Sequence, residues 1–187
     1  MGLLLATVGA RAGTREKPPL QYQIPLPPPP DFSALDWLQG HWTGKTVSPG
    51  PAGEVDFSVT PELENHFLVF REETSLAATS TLPASMESWV GFLGASPDGK
   101  GFVLRVFSST GFMTRYRMTV DGPELHLNPE GGESPPPGWL FRRSWARTGS
   151  NKLTETVQAA PPGKGFFLYY SADLARAPAP AKPAPAP

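Results

Sequence analysis

The sequence predicts an all-β protein: a closed antiparallel up-and-down barrel of about ten strands with a short N-terminal helix. Two observations predict it. Apolar and aromatic residues alternate with period two through most of residues 41–172, and Gly, Pro, Asn and Asp cut the alternating runs at short intervals. Antiparallel strands joined by hairpins leave two exposed edges unless the first pairs with the last. Closure removes those edges. A two-sheet sandwich is the alternative.

The elements follow in chain order. Asp31 is placed to cap a helix, Phe32, Leu35 and Leu38 recur at helical spacing, and Gly40 can stop it. Strands are expected over 41–47, 53–59, 66–75, 86–94, 101–107, 112–120, 124–127, 139–148, 152–158 and 165–172. The second alternates cleanly, with Val55, Phe57 and Val59 on one face and Glu54, Asp56 and Ser58 on the other. Asp98-Gly99 and Asp121-Gly122 are hairpin turn signals.

Composition bounds the organisation. Of 24 prolines in 187 residues, seven lie in 1–30 and five in 177–187. Proline runs lack backbone donors and favour extended, solvated chain. Residues 1–30 therefore read as a disordered Pro-rich extension, 177–187 as an Ala/Pro tail, and 31–176 as one domain. Leu3 to Val8 followed by Ala10-Arg11-Ala12 resembles a truncated signal peptide without its basic start. With a signal the protein would be secreted or periplasmic, otherwise cytoplasmic.

Several functions are disfavoured. A net charge of −1 gives no general attraction to phosphate backbones, so no nucleic-acid partner is expected. No apolar run reaches the roughly 18 residues of a transmembrane segment. Without cysteine there is no disulfide, thiol nucleophile or thiolate metal site. No G-x-S-x-G elbow or phosphate loop is present. Glu72 and Glu73 are adjacent on a strand and point to opposite faces, so they cannot form a dyad with each other.

The stretch Leu35-Asp36-Trp37-Leu38-Gln39-Gly40-His41-Trp42-Thr43-Gly44 resembles the calycin entry motif, in which a short helix closes a barrel end and G-x-W-x-G opens the first strand. Residues 65–73 are similar to the family's third strand, 89–111 to its glycine-bounded hairpin, and 140–176 to its last three strands, with Arg176 after the final one. On these residues the chain resembles the bacterial lipocalin-like, fatty-acid-binding-protein-like barrel domains of unknown function. The resemblance implies a barrel with an internal cavity and supplies no activity. A sister calycin group binds haem through one late histidine, but no histidine follows His126 here. His126, or else Tyr169 or Tyr170, would have to substitute.

Polar residues on inward-reading faces are the main functional lead. Arg143 shares a face with Trp139, Phe141, Trp145 and Arg147, and Glu72 shares one with His66, Leu68, Phe70 and Thr74. Charge inside a barrel is costly unless paired. Three readings of Arg143 stay open: it faces solvent, it pairs with Glu72 or Glu155, or it awaits an anionic head group. The candidate ligand-binding residues are Arg143, Tyr116, Glu72, Phe70, Trp89 and Trp139. No catalytic residue, metal or cofactor is assigned. The expected function is non-enzymatic binding of a small hydrophobic or amphipathic molecule inside the barrel. The alternatives are a ligand-free structural or interaction domain, a haem-binding barrel, or a weakly catalytic one using Glu72, His66 and Tyr116.

Overall fold

A computed structural model describes residues 28–47, 50–81, 83–132 and 138–178. Most of the expected N-terminal extension and C-terminal tail lies outside the described residues. No described helix is long and apolar enough to cross a membrane.

Ten strands form one closed antiparallel barrel: β1 (Gly40–Val47), β2 (Gly53–Glu62), β3 (Phe67–Leu76), β4 (Ser85–Ala95), β5 (Phe102–Ser108), β6 (Met113–Asp121), β7 (Glu124–Gly132), β8 (Leu140–Gly149), β9 (Lys152–Ala160) and β10 (Phe167–Arg176). Each pairs with its chain neighbour, and β1 closes on β10 from Trp42↔Arg176 to Val47↔Ser171. The alternation predicts the inward faces: Val55, Phe57 and Val59 on β2 are all buried.

The expected helix is smaller than its spacing suggests. Asp31 is not the cap: Phe32 holds that position without a side-chain hydrogen bond, and Asp31 Oδ1 accepts the Ser33 N–H at 2.9 Å in a local turn just before it. Only a 3₁₀ turn follows, Ser33–Leu35. Few residues separate the turn from β1, and burial against the barrel holds it in place of propensity. Phe32, Leu35 and Leu38 plug this end, with Phe32 against Phe102 at 5.2 Å. Trp42 is buried beneath them and donates Nε1–H to Leu38 O at 2.8 Å. Arg176 stacks its guanidinium 4.1 Å from the Trp42 ring and donates to Gln39 O and Trp37 O, locking the plug to the last strand. Gly44 is required by closure: a Cβ there would overlap the Asp173 carbonyl oxygen on β10.

β7 runs past the expected end at residue 127. Beyond Leu127 it stays paired with β6, through an irregularity in which Glu130 is an extra residue between Pro129↔Tyr116 and Gly131↔Arg115. Glu130 accepts from Arg117 Nε at 2.6 Å. On its other side β7 pairs with β8 only from Glu124↔Ala146 to Leu127↔Arg143. Pro129 lacks a donor and the extra residue bends the strand, so the ladder ends level with Arg143.

Candidate functional site

The lumen has a solid floor and a hollow mouth. Above the plug, Trp145 stacks on Phe57 with centroids 5.0 Å apart and planes at 12°, and Phe70 and Trp89 tilt against the same indole at 6.2 and 6.5 Å. Trp145, Phe57 and Phe70 are fully buried. Toward the opposite end lies a cavity of about 210 Å³, walled by Trp89, Val106, Phe112, Tyr116, Phe141 and Arg143, with the Glu87 carboxylate and the Ser108 and Thr114 hydroxyls also on its lining. Larger hollows of about 580 and 610 Å³ lie along mainly outward-facing residues such as Asp56, Ser58 and Arg71, or Thr43, Lys45 and Thr154.

At the boundary between floor and cavity sits a charge cluster. Arg143, from β8, is 11% exposed and donates through Nη1 to Glu72 Oε1 at 2.8 Å, Glu155 Oε1 at 3.2 Å and Tyr170 OH at 3.3 Å. Tyr170 donates to Glu72 Oε1 at 3.0 Å, as does Thr74 at 3.1 Å. The guanidinium lies 4.9 Å from the Trp89 ring centroid, within cation–π range. Of the three readings of Arg143, solvent exposure is corrected: the side chain points inward and is paired.

The two carboxyls differ in protonation. Burial pushes Glu155 well above the usual carboxylate range, the Glu72 charge adds to it, and Arg143 offsets only part. Burial also works to raise Glu72, but Arg143, the neighbouring Glu155 carboxyl, the nearby Trp89 indole and the Tyr170 hydrogen bond hold it below its ordinary value. Trp89 Nε1 itself closes no hydrogen bond. Arg143 stays charged because Glu72, Tyr170 and Glu155 outweigh the cost of burying it. The cluster is thus one cation, one carboxylate and one neutral acid. Burial, with Glu155 and Glu72, likewise pushes the Tyr170 hydroxyl far up.

This sets the sign of a pH effect. Glu155 has its folded pKa above its unfolded one, so its contribution is fully present below roughly pH 4–5 and is lost as pH rises. Each pH unit up to the folded value costs about 1.4 kcal/mol. Glu155→Gln keeps an acceptor for Arg143 without a titrating proton and removes that slope. Urea unfolding is expected to show the variant gaining on wild type from pH 5 to pH 8. A constant difference between the two would count against a neutral Glu155.

Three of the six sequence candidates, Arg143, Tyr116 and Trp89, meet on the cavity wall, and Glu72 lies behind Arg143. Phe70 is in the packed floor, and Trp139 stacks on Phe141 at 6.4 Å outside the cavity lining. Two residues outside the six join them: Phe141, which shares the Arg143 face, lines the cavity, and Tyr170, on the last strand, bonds both Arg143 and Glu72.

The fold recurs in a solved structure. The "Crystal Structure of Rv2717c from M. tuberculosis" matches with a TM-score of 0.57 and 18% identity, covering 78% of this chain and 96% of that one. At this identity the likeness is one of fold. No protein-family model and no curated protein matches the chain.

The histidines lie off the lumen. His41 pairs with Asp56 at 2.9 Å, His126 with Glu124 at 3.2 Å, and His66 bonds Leu63 O at 3.0 Å in the β2–β3 connection. His66 is therefore not near Glu72 and Tyr116, and the triplet considered for catalysis does not assemble. Of the tyrosines considered for haem, Tyr170 is engaged with Glu72, and Tyr169 donates to Glu87 Oε1 at 3.0 Å. Burial and the Glu87 charge push the Tyr169 hydroxyl up to about 12.

Proposed function

We propose that this protein is a lipocalin-like, non-enzymatic binding barrel whose mouth cavity takes a small amphipathic molecule, with Arg143 holding the polar end. The observation that carries this reading is the division of labour at Arg143. Its hydrogen bonds among the described residues all use Nη1, and the rest of the guanidinium belongs to a side chain that lines a cavity of aromatic and aliphatic walls edged by Glu87 and several hydroxyls. Apolar walls with a few convergent polar groups are the usual composition of a ligand site. At about 210 Å³ the cavity is smaller than the roughly 300–1,000 Å³ of drug-sized clefts. The ligand is accordingly on the scale of a substituted benzene ring or a short acyl chain.

Titration calorimetry with benzoate, benzamide, hexanoate and toluene tests this. The expected result is saturable one-to-one binding of at least one of the polar members, lost in Val106→Phe. That variant fills the cavity and leaves the charge cluster untouched. Absence of saturable binding across the panel, or binding that Val106→Phe does not disturb, would overturn the reading.

A further inference from the structure

The interior charge is balanced for one more guest charge only if a proton comes with it. A single cation, Arg143, serves two carboxyls through one nitrogen, and each carboxyl keeps a second oxygen, Oε2, that is buried and without a partner. Each lies in register opposite an indole whose N–H is also unpartnered: Glu72 opposite Trp89 across β3 and β4, Glu155 opposite Trp145 across β9 and β8. The other groups facing the pair and its cavity are Tyr170 from β10, Thr74 beside Glu72 on β3, Tyr116 from β6, and Glu87 from β4, which lines the cavity and accepts from Tyr169. Arg143 is the sole cation among them. A second anion placed on the same guanidinium would leave two negative charges against one positive in a buried site, which is strongly unfavourable.

We propose that the cavity takes a small monocarboxylic acid, its carboxylate on the Nε and Nη2 edge of Arg143, and that each anion entering brings one proton onto the Glu72–Glu155 pair. The inference rests on the binding reading above and gives it a ligand class. A planar guanidinium edge matches a carboxylate through two parallel hydrogen bonds. The proton comes from solvent and goes to a free carboxyl oxygen, Oε2 of Glu72. One O–H bond forms as one in a solvent hydronium breaks, and Arg143 and the ligand are left as the only charges of the cluster, with Glu87 on the cavity wall beside it. The net event equals uptake of the neutral acid. The state of Glu72 supports this: Arg143 is what holds its carboxyl ionised against burial, and a ligand carboxylate competes for that cation.

The experiment is calorimetry of benzoate and benzamide against the full chain from pH 5.5 to 8.5, in buffers of different ionisation enthalpy. Benzoate affinity is expected to fall about tenfold per pH unit, with one proton taken up per molecule bound. Benzamide, the neutral isostere, should bind with no pH dependence and no proton. In Glu72→Gln/Glu155→Gln the proton acceptors are gone, and benzoate binding should become flat with pH. Should that variant fail to fold, the comparison of the two ligands on the wild type decides alone. Benzoate binding that is flat with pH and without proton uptake overturns the proposal and leaves the binding reading intact. So does binding of benzamide with none of benzoate. Failure of the whole panel overturns both.

Discussion

Arg143→Met is expected to cost about 3–5 kcal/mol of folding stability at pH 7, the range for breaking a buried ion pair by removing one partner. Methionine fills much of the stem volume, so the loss is electrostatic. Without the guanidinium, Glu72 has no cation and its folded pKa moves above the unfolded one, as that of Glu155 already stands. Above roughly pH 4–5 the variant must then take up two protons on folding where the wild type takes up one. The deficit therefore widens by about 1.4 kcal/mol per pH unit toward alkaline pH and narrows toward pH 5. Adding Glu72→Gln removes one of the two proton costs and should recover part of the loss at pH 7. Urea midpoints across this range check both statements. A deficit that does not change with pH would mean that the arginine matters only for packing.

Trp145→Ala should cost a comparable 3–5 kcal/mol, the range for aromatic truncation in a core. The indole is fully buried and forms the floor on which Phe57, Phe70 and Trp89 rest. Its removal would also join the floor to the cavity above it. Trp145→Phe should lose much less, because Nε1 of Trp145 has no partner to forfeit. Trp42 behaves differently: Trp42→Phe strands the Leu38 carbonyl that its Nε1–H satisfies at 2.8 Å. The contrast between Trp145→Phe and Trp42→Phe, read from unfolding midpoints, separates packing from hydrogen bonding at the two indoles. Equal losses would contradict this assignment.

The ten strands were legible because period-two alternation and turn residues are local signals. Val55, Phe57 and Val59 declare their face within one strand, and Asp121-Gly122 declares its turn within two residues. The elements misjudged were those where context overrides the local signal. Phe32, Leu35 and Leu38 have helical spacing, yet the segment makes only a 3₁₀ turn. Pro129 reads as the end of a strand, yet β7 continues along β6 past it.

From the amino acids alone came the strand count, the expectation of closure, and the fact that a charged residue interrupts an aromatic face at Arg143. Alternation reports which residues share a face, and no more than that. That Glu72, Arg143, Glu155 and Tyr170 converge depends on how β3, β8, β9 and β10 are carried round the barrel to face one another. Only the folded chain decides which carboxyl keeps its proton, because burial and the distance to one guanidinium set that, and neither is a property of any segment by itself.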